Sequence, residues 1–388
     1  MNLMIVKQRR LLAAFALFCF WPSIAWSGWP PANMIDPEDG KFDISQYLAG
    51  ATGFLPVPIV ITEPAVGFGL GAAIAYFHPQ KHPHAEIDGH RAPPSISVVL
   101  GAKTENGTYA YGVGHMGVWK GDHIRYTGAL ARMNVNMAFY LDRGDYAFLD
   151  NGINFNIDGA LLYQQMQFRL KESDWWLGAN YIYTNADSTF GLGEILPPEL
   201  PSPNFSFDQA GLGVFVIYDS RNTIFTPSSG MSAKFEYKNY GKTWGGDYKY
   251  DDYIGTVLHY TPVGEYSSLG LRFNAETVRG DVPYFAYPFI SLRGIPAMRY
   301  QGKATLLADA EYLWGVTPRW SLVFFGGVGK TTSINRFRGE GQTVAAGGIG
   351  FRYRLARVPG LQAGIDIARG PEETSVYLTV GSAWSVSK

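Results

Sequence analysis

Along most of the chain, apolar and polar residues alternate with a period of two. SISVVLGAK (95–103), TYAYGVGHMGVW (108–119), NFNIDGALLYQQMQFRL (154–170), DQAGLGVFVIY (208–218), RWSLVFFGGVG (319–329) and LQAGIDIAR (361–369) are representative. A strand sends successive side chains to opposite faces, so the pattern predicts β-structure with two chemically different faces. Counting GFGLGAAIAYFH (67–78) as the first, fifteen such segments of 9 to 17 residues run to residue 384. Globular strands are usually about 5 to 6 residues, whereas a tilted strand crossing a bilayer needs about 9 to 11. A soluble β-sandwich fits those lengths poorly, and the pattern predicts no helix to cover its sheets.

A closed antiparallel barrel with both ends on one side needs an even number of strands. The long connections at 79–94, 142–153, 188–206 and 281–303 are expected outside, and the short ones at 105–107, 171–173 and 226–230 on the periplasmic side. They alternate if 122–141 holds two strands turning near Met133 to Asn136, which gives about sixteen. The predicted fold class is therefore all-β: a transmembrane antiparallel β-barrel over 56–388.

Composition sharpens the picture. Forty-six glycines, 24 tyrosines, 24 phenylalanines and 10 tryptophans, with only 17% charged residues, describe an aromatic, turn-rich barrel. Aromatics cluster near strand ends (Tyr76, Phe77, Trp119, Phe139, Tyr140, Trp175, Trp176, Trp314, Trp320, Trp384), as interfacial girdles require. Residues 1–27 carry Lys7, Arg9 and Arg10, then LLAAFALFCFW, then Ala25-Trp26-Ser27, the pattern of a cleaved signal peptide. The apolar run is too short for a spanning helix. The only cysteine, Cys19, lies inside this leader behind bulky Phe18, so neither lipidation nor a disulfide is expected. The leader's three cations leave a slightly acidic mature chain, unlike a nucleic-acid binder. Residues 28–55 read as a short periplasmic segment with a helical turn or two at Asp43 to Ala49, either a flexible tail or a small plug or lid.

Three local patterns occur in order: YDSRNTIFTPSSG (218–230), with Asp219, Arg221, Pro227 and Gly230 at a strand end and turn; SLRGIPAMRYQGK (291–303), with Arg293, Gly294 and Arg299; and RWSLVFFGGVGK (319–330). Together with GFLPVPIVITEPAVGFGLGAA (53–73) and GIDIARGPEETSVYLTVGSAW (364–384), they resemble the BamA/TamA-like surface-antigen superfamily of outer-membrane assembly and translocation proteins. The resemblance implies that 281–303 is the sixth extracellular loop, folded back into the lumen, with Arg293 as the lumen arginine and Gly294 permitting the tight turn. Glu311 fills the position of its first acidic partner. Gly327 stands where an Asp would supply the second, which either leaves the loop more weakly held or passes that role to another acid such as Asp309 or Glu276. Some 27 residues separate the leader from the barrel, so the chain resembles a short branch without POTRA modules.

The same resemblance implies a weak seam between first and last strands. Gly67, Gly69 and Gly71 weaken the expected first strand; Gly381 and Trp384 lie on the expected closing strand. The function implied is outer-membrane biogenesis in a Gram-negative bacterium, by insertion or translocation of protein or lipid at that seam. The partners would be membrane lipids, a client polypeptide or lipid, and a separate periplasmic protein; homo-oligomers are compatible. Alternatives are a diffusion pore and a purely structural barrel. No G-x-S-x-G elbow occurs, so no catalytic residue is assigned and no enzyme is expected; no cofactor is called for. His78, His82, His84 and His90 read as a solvated loop rather than a metal site, because Pro79 and Pro83 break any helix that would align two of them.

Overall fold

The computed structural model describes residues 31–49, 53–79, 86–87, 90–91, 93–139, 153–191, 204–332, 341–357 and 360–384. The leader, Cys19, His82 and His84 lie outside them. Sixteen strands form one antiparallel sheet in sequential order. They are β1 Gly53–Ile61, β2 Gly69–Phe77, β3 Ile96–Thr104, β4 Tyr109–Trp119, β5 Ile124–Phe139, β6 Ile153–Arg169, β7 Trp175–Gly191 and β8 Asn204–Asp219, followed by β9 Gly230–Tyr240, β10 Tyr250–Pro262, β11 Ser268–Gly280, β12 Ala304–Gly315, β13 Trp320–Thr331, β14 Thr343–Ala356, β15 Leu361–Arg369 and β16 Thr374–Val380. No helix is long and apolar enough to cross a membrane among the described residues.

The alternation sorts the two faces. On β15, Gln362, Asp366 and Ala368 are buried while Ile367 is exposed; on β2, Ala73 and Ala75 are buried while Leu70 and Ile74 are exposed. Leu130, Leu177, Phe235, Phe273, Leu306, Phe324 and Ile349 continue an outward apolar belt. Such a belt is stable only against lipid or another apolar surface.

The strand count holds, but two assignments behind it are corrected. Residues 124–139 are one sixteen-residue strand paired along its length with Ile153–Phe168, with no turn near Met133. The sixteenth strand is instead β1, inside the PVPIV stretch, so the barrel begins at Gly53 rather than 56. Pro56 and Pro58 hid it, because proline reads as a strand breaker. Yet β1 pairs continuously with β2, Pro56 opposite Ile74 and Pro58 opposite Ala72. The ladder tolerates both prolines because their nitrogens occupy positions that face away from β2.

Adding a strand at the start swaps the sides of the first connections. The connection 78–95 lies at the rim that carries Gly53 and Val380, here the terminal rim, and 105–108 lies at the far rim. His78 accordingly sits at the terminal rim; its Nε2 is 2.8 Å from Ser97 Oγ, which lies 2.9 Å from His115 Nδ1. Counted along the far rim, 281–303 is the sixth connection, as expected. Trp119, Trp175, Trp314 and Trp320 are exposed at strand ends on the terminal rim, a girdle at one interface. Trp176 is not part of it: it is buried, with the Arg125 guanidinium 4.2 Å from its ring centre.

The segment before the barrel is a docked arm. A single turn, Ala32–Met34, and a short helix, Ser45–Ala49, flank a bridge between Ile35 and Phe42. Ile44 N–H donates to Leu355 O at 2.7 Å and Tyr353 Oη donates to Phe42 O at 2.8 Å, which fixes the arm to β14. Asp36, Asp39 and Asp43 converge on Arg319 in the β12–β13 turn, and Arg357 pairs with Asp36 and Glu38. The Arg319 bonds hold the Asp39 carboxyl down at about 2. Burial pushes Asp43 upward, but bonds from Ser45 and Arg319 outweigh it and leave that carboxyl below its ordinary range.

Candidate functional site in the barrel lumen

The sixth far-rim connection turns inward because its sequence gives it an apolar underside. Ile290 N–H donates to Tyr300 O at 3.0 Å and Gly302 N–H to Pro288 O at 3.0 Å, closing a hairpin neck. Beyond it, Ile290, Leu292, Ile295 and Tyr300 pack with Leu307 of β12 in one buried cluster. The floor beneath them is glycine. A Cβ at Gly327 would sit 2.4 Å from Asp309 Cβ and 2.8 Å from Leu292 Cδ2, and one at Gly329 would sit 2.6 Å from Ile290 Cγ2. Gly327, the position where the resemblance expects an acid, is therefore the surface on which the loop rests. Gly294 adopts φ +94° and its N–H donates to Tyr377 Oη at 2.9 Å. A Cβ there would meet Gly370 N at 2.8 Å, so only glycine permits this approach.

Arg293 reaches two carboxylates. Its Nη2 donates to Glu311 Oε2 at 2.5 Å and its Nη1 to Asp366 Oδ2 at 2.7 Å, while its guanidinium carbon stacks 3.5 Å from the Phe325 ring centre. Glu311 is the expected partner. The second is neither Asp309 nor Glu276 but Asp366 on β15, which is fully buried and also binds Arg352 at 2.5 and 2.9 Å. Asp309 serves Arg272 instead, at 2.7 Å, and Arg272 Nη2 reaches Ser291 O of the loop at 2.8 Å. Arg272, Arg293 and Arg352 thus each have a carboxylate with directed bonds, the condition under which a desolvated guanidinium is tolerated. Arg299 lies nearer the far rim, where it and Tyr300 Oη both bond Glu372 at 2.8 Å. The alternation marks Asp366 as an acid at an inward position of a strand whose other inward residues are Gln362, Gly364 and Ala368, but it carries no sign of its partner.

The two end strands do not form a ladder. The sheet order starts at β1 and stops at β16, and the hydrogen bond between them among the described residues runs from Leu378 N–H to Thr62 Oγ1 at 3.3 Å. The assigned seam glycines need correction. Gly67 lies in the β1–β2 turn at φ +79°, and Gly69 and Gly71 belong to β2, where an added Cβ would strike Thr104 Cγ2 at 2.5 Å and Gly101 O at 2.4 Å. They let β2 approach β3; the edge itself is weakened by Pro56 and Pro58.

Gly381 and Trp384 are corrected too, since neither lies on the closing strand. At Gly381, φ +80°, the chain leaves β16 and turns into the lumen, with Ser382 N–H donating to Phe225 O at 2.6 Å. Trp384 is buried against Leu258 and Tyr260 and donates to Asp309 Oδ2 at 3.0 Å. The DSR-to-PSSG turn supports this tail. Arg221 pairs with Asp219 at 2.7 and 2.8 Å, and Asn222 Oδ1 accepts from Ser228 and Ser229 N–H. Pro227 is buried at the turn, and Gly230 adopts φ +93°, where a Cβ would lie 2.2 Å from Ser220 O.

No protein-family model matches the sequence, and no curated protein matches it at that level. Solved structures do match. The barrel superposes on BamA from Haemophilus ducreyi lacking POTRA domains 1–3 with a TM-score of 0.55 at 12% identity, covering 85% of this chain and 69% of that one. CdiB from Acinetobacter baumannii gives 0.57 at 8% identity over 84% of this chain and 59% of its own. CdiB from Escherichia coli gives 0.54 at 8%, covering 84% and 61%. The chain therefore spans about six tenths of the length of the CdiB chains and has the sixteen-stranded barrel fold of BamA and CdiB.

Proposed function

We propose that this protein is an outer-membrane barrel acting in membrane biogenesis, handling a polypeptide or lipid client at the seam between β1 and β16. The observation that carries this reading is the missing ladder between those strands, with Pro56 and Pro58 removing two donors from the β1 edge. Unpaired edges can accept a client strand and leave polar backbone facing lipid, which perturbs the bilayer beside them. The terminal rim is assigned to the periplasm, where a separate partner could deliver clients, and the far rim to the cell exterior. A diffusion pore is disfavoured by the loop and Trp384 lodged in the lumen. No catalytic group is assigned.

The test joins the two edges. A disulfide between Thr62→Cys and Leu378→Cys, or a near neighbour, is expected to abolish lipid perturbation in vesicles and the activity in cells, with recovery on reduction. Pro56→Val with Pro58→Val, which restores two edge donors, is expected to act in the same direction without a crosslink. An oxidised barrel that behaves like the reduced one refutes seam opening. Large steady single-channel currents from the unmodified protein would favour the pore; small currents that rise when 290–302 are deleted support the plugged barrel.

A further inference from the structure

At the terminal end of the lumen, beneath the Arg293 layer, lies a cavity of about 310 Å³. Its walls come from the β8–β9 turn, the β10–β11 turn and the inner faces of β14 and β15. Its lining includes one cation without an ion-pair partner and two buried polar atoms without a hydrogen-bond partner. Arg354, an inward residue of β14, is half-buried, and among the described residues no carboxylate pairs with it. Thr226 Oγ1 and Gln362 Oε1 are buried with no hydrogen-bond partner. Native interiors leave few such groups, and each calls for an explanation; two of them on the lining of one cavity, with an unpaired cation on the same lining, point to a bound group.

The neighbouring charges narrow its chemistry. Arg352 is spent on Asp366, Arg357 on Asp36 and Glu38, and Glu311 on Arg293. Glu265, the remaining acid of the lining, is exposed at the rim. The cavity thus keeps one guanidinium that makes no direct ion pair among the described residues, with the Asp43 carboxylate acting on it only at longer range. Around it are hydroxyls on separate walls: Thr226 and Ser228 on one turn, Ser267 on another. Ser228 and Ser267 accept bonds from Asn222 Nδ2 and Gly315 N–H, which leaves their own protons to donate. Donors converging from three directions suit a tetrahedral oxyanion better than a planar carboxylate with two oxygens. The Gln362 amide, turned either way, offers a contact to a substituent on that anion.

We propose that this cavity binds a phosphate oxyanion, held by Arg354 and Thr226, either as free phosphate or as the phosphodiester of a lipid headgroup. The site does not depend on the seam opening. The test uses the full chain in phosphate-free nonionic detergent, titrated calorimetrically with inorganic phosphate, glycerophosphoethanolamine and acetate. At least one phosphate probe is expected to bind more tightly than acetate. Arg354→Gln should weaken that binding at least tenfold and Thr226→Val several-fold, with both variants keeping the heat-modifiable gel mobility of a folded barrel. Binding of the diester alone identifies the headgroup as the source, and binding of inorganic phosphate alone identifies the free ion. Equal binding by Arg354→Gln and the parent protein, or no phosphate binding above the acetate level, overturns the proposal. So does a folded Arg354→Gln barrel that is markedly less stable than the parent without phosphate, because removing an unpaired, half-buried cation should not destabilise the empty site.

Discussion

The lumen network predicts an order among three substitutions that simple counting of ion pairs would not give. Asp366 is fully buried and compensates two guanidiniums, Arg293 and Arg352, and it also accepts from Thr379 Oγ1 at 3.2 Å. Asp366→Asn keeps the shape but leaves two cations facing each other, with Glu311 the nearest remaining anion. Stranding a buried charge costs about 3 to 5 kcal/mol, and the second arginine places the cost toward the top of that range. Glu311 has one cationic partner and keeps some exposure, and Arg293 would retain Asp366 and the Phe325 ring. Glu311→Gln should therefore cost only about 1.5 to 2 kcal/mol, near the value of one charge-assisted bond. Arg293→Met falls between, at about 3 kcal/mol, because Asp366 stays neutralised by Arg352 while Glu311 is orphaned and the ring contact, worth about 1 kcal/mol, is lost. Urea unfolding of the barrel in lipid vesicles, followed by tryptophan fluorescence, would rank the three. If Asp366→Asn proves no worse than Glu311→Gln, Asp366 is not the centre of this network.

Gly327→Ala puts a methyl group against Leu292 and Asp309; overpacking of about 1 to 3 kcal/mol is expected, read as faster proteolysis within 290–302 of a barrel that remains folded. Trp384→Ala removes a buried ring and its bond to Asp309; about 3 kcal/mol of stability should be lost and single-channel current should rise. The arm should be acid-labile over a defined window. Asp39 titrates at about 2 when docked against an ordinary value of 3.8, and Asp43 is also depressed. A depressed carboxylate stabilises docking fully above its free value, and that contribution fades as pH falls through the docked one. Protection of residues 31–49 from protease should persist at pH 7 and pH 5 and disappear between about pH 4 and pH 2, whereas Arg319→Ala should expose the arm at neutral pH.

Much of the architecture was legible because lipid and lumen impose opposite chemistry on alternate residues, and a period of two survives in sequence wherever both faces are constrained. The signal failed where the constraint changes. In β1 it was broken by Pro56 and Pro58, which suit an edge without a partner and nowhere else in the sheet. In 124–139, polar residues such as Asn134 and Asn136 imitate a turn, yet they form an amide and carboxylate ladder with Asp158 and Asn156. Arg293, Gly294 and Glu311 were readable from local motifs. Asp366 was not, because the contact joins a loop to a strand 73 positions on, which a linear pattern does not record.

These same residues tie the loop to the seam. β16 has no ladder to β1, so its position is set from β15 and from inside the lumen: Tyr377 accepts from Gly294 N–H, and Thr379 bonds the Asp366 that holds Arg293. The tail after β16 is fixed to the β8–β9 turn through Ser382 and to Asp309 through Trp384, and Asp309 in turn carries the Arg272 that holds Ser291 of the loop. Moving β16 away from β1 therefore takes little energy at the seam itself, where among the described residues one hydrogen bond to Thr62 is lost, and much more at the loop, where charge-assisted bonds must shift together. Withdrawal of the loop tip should precede or accompany opening of the edge, and a seam locked by a disulfide should make the Arg293 network harder to disrupt rather than easier.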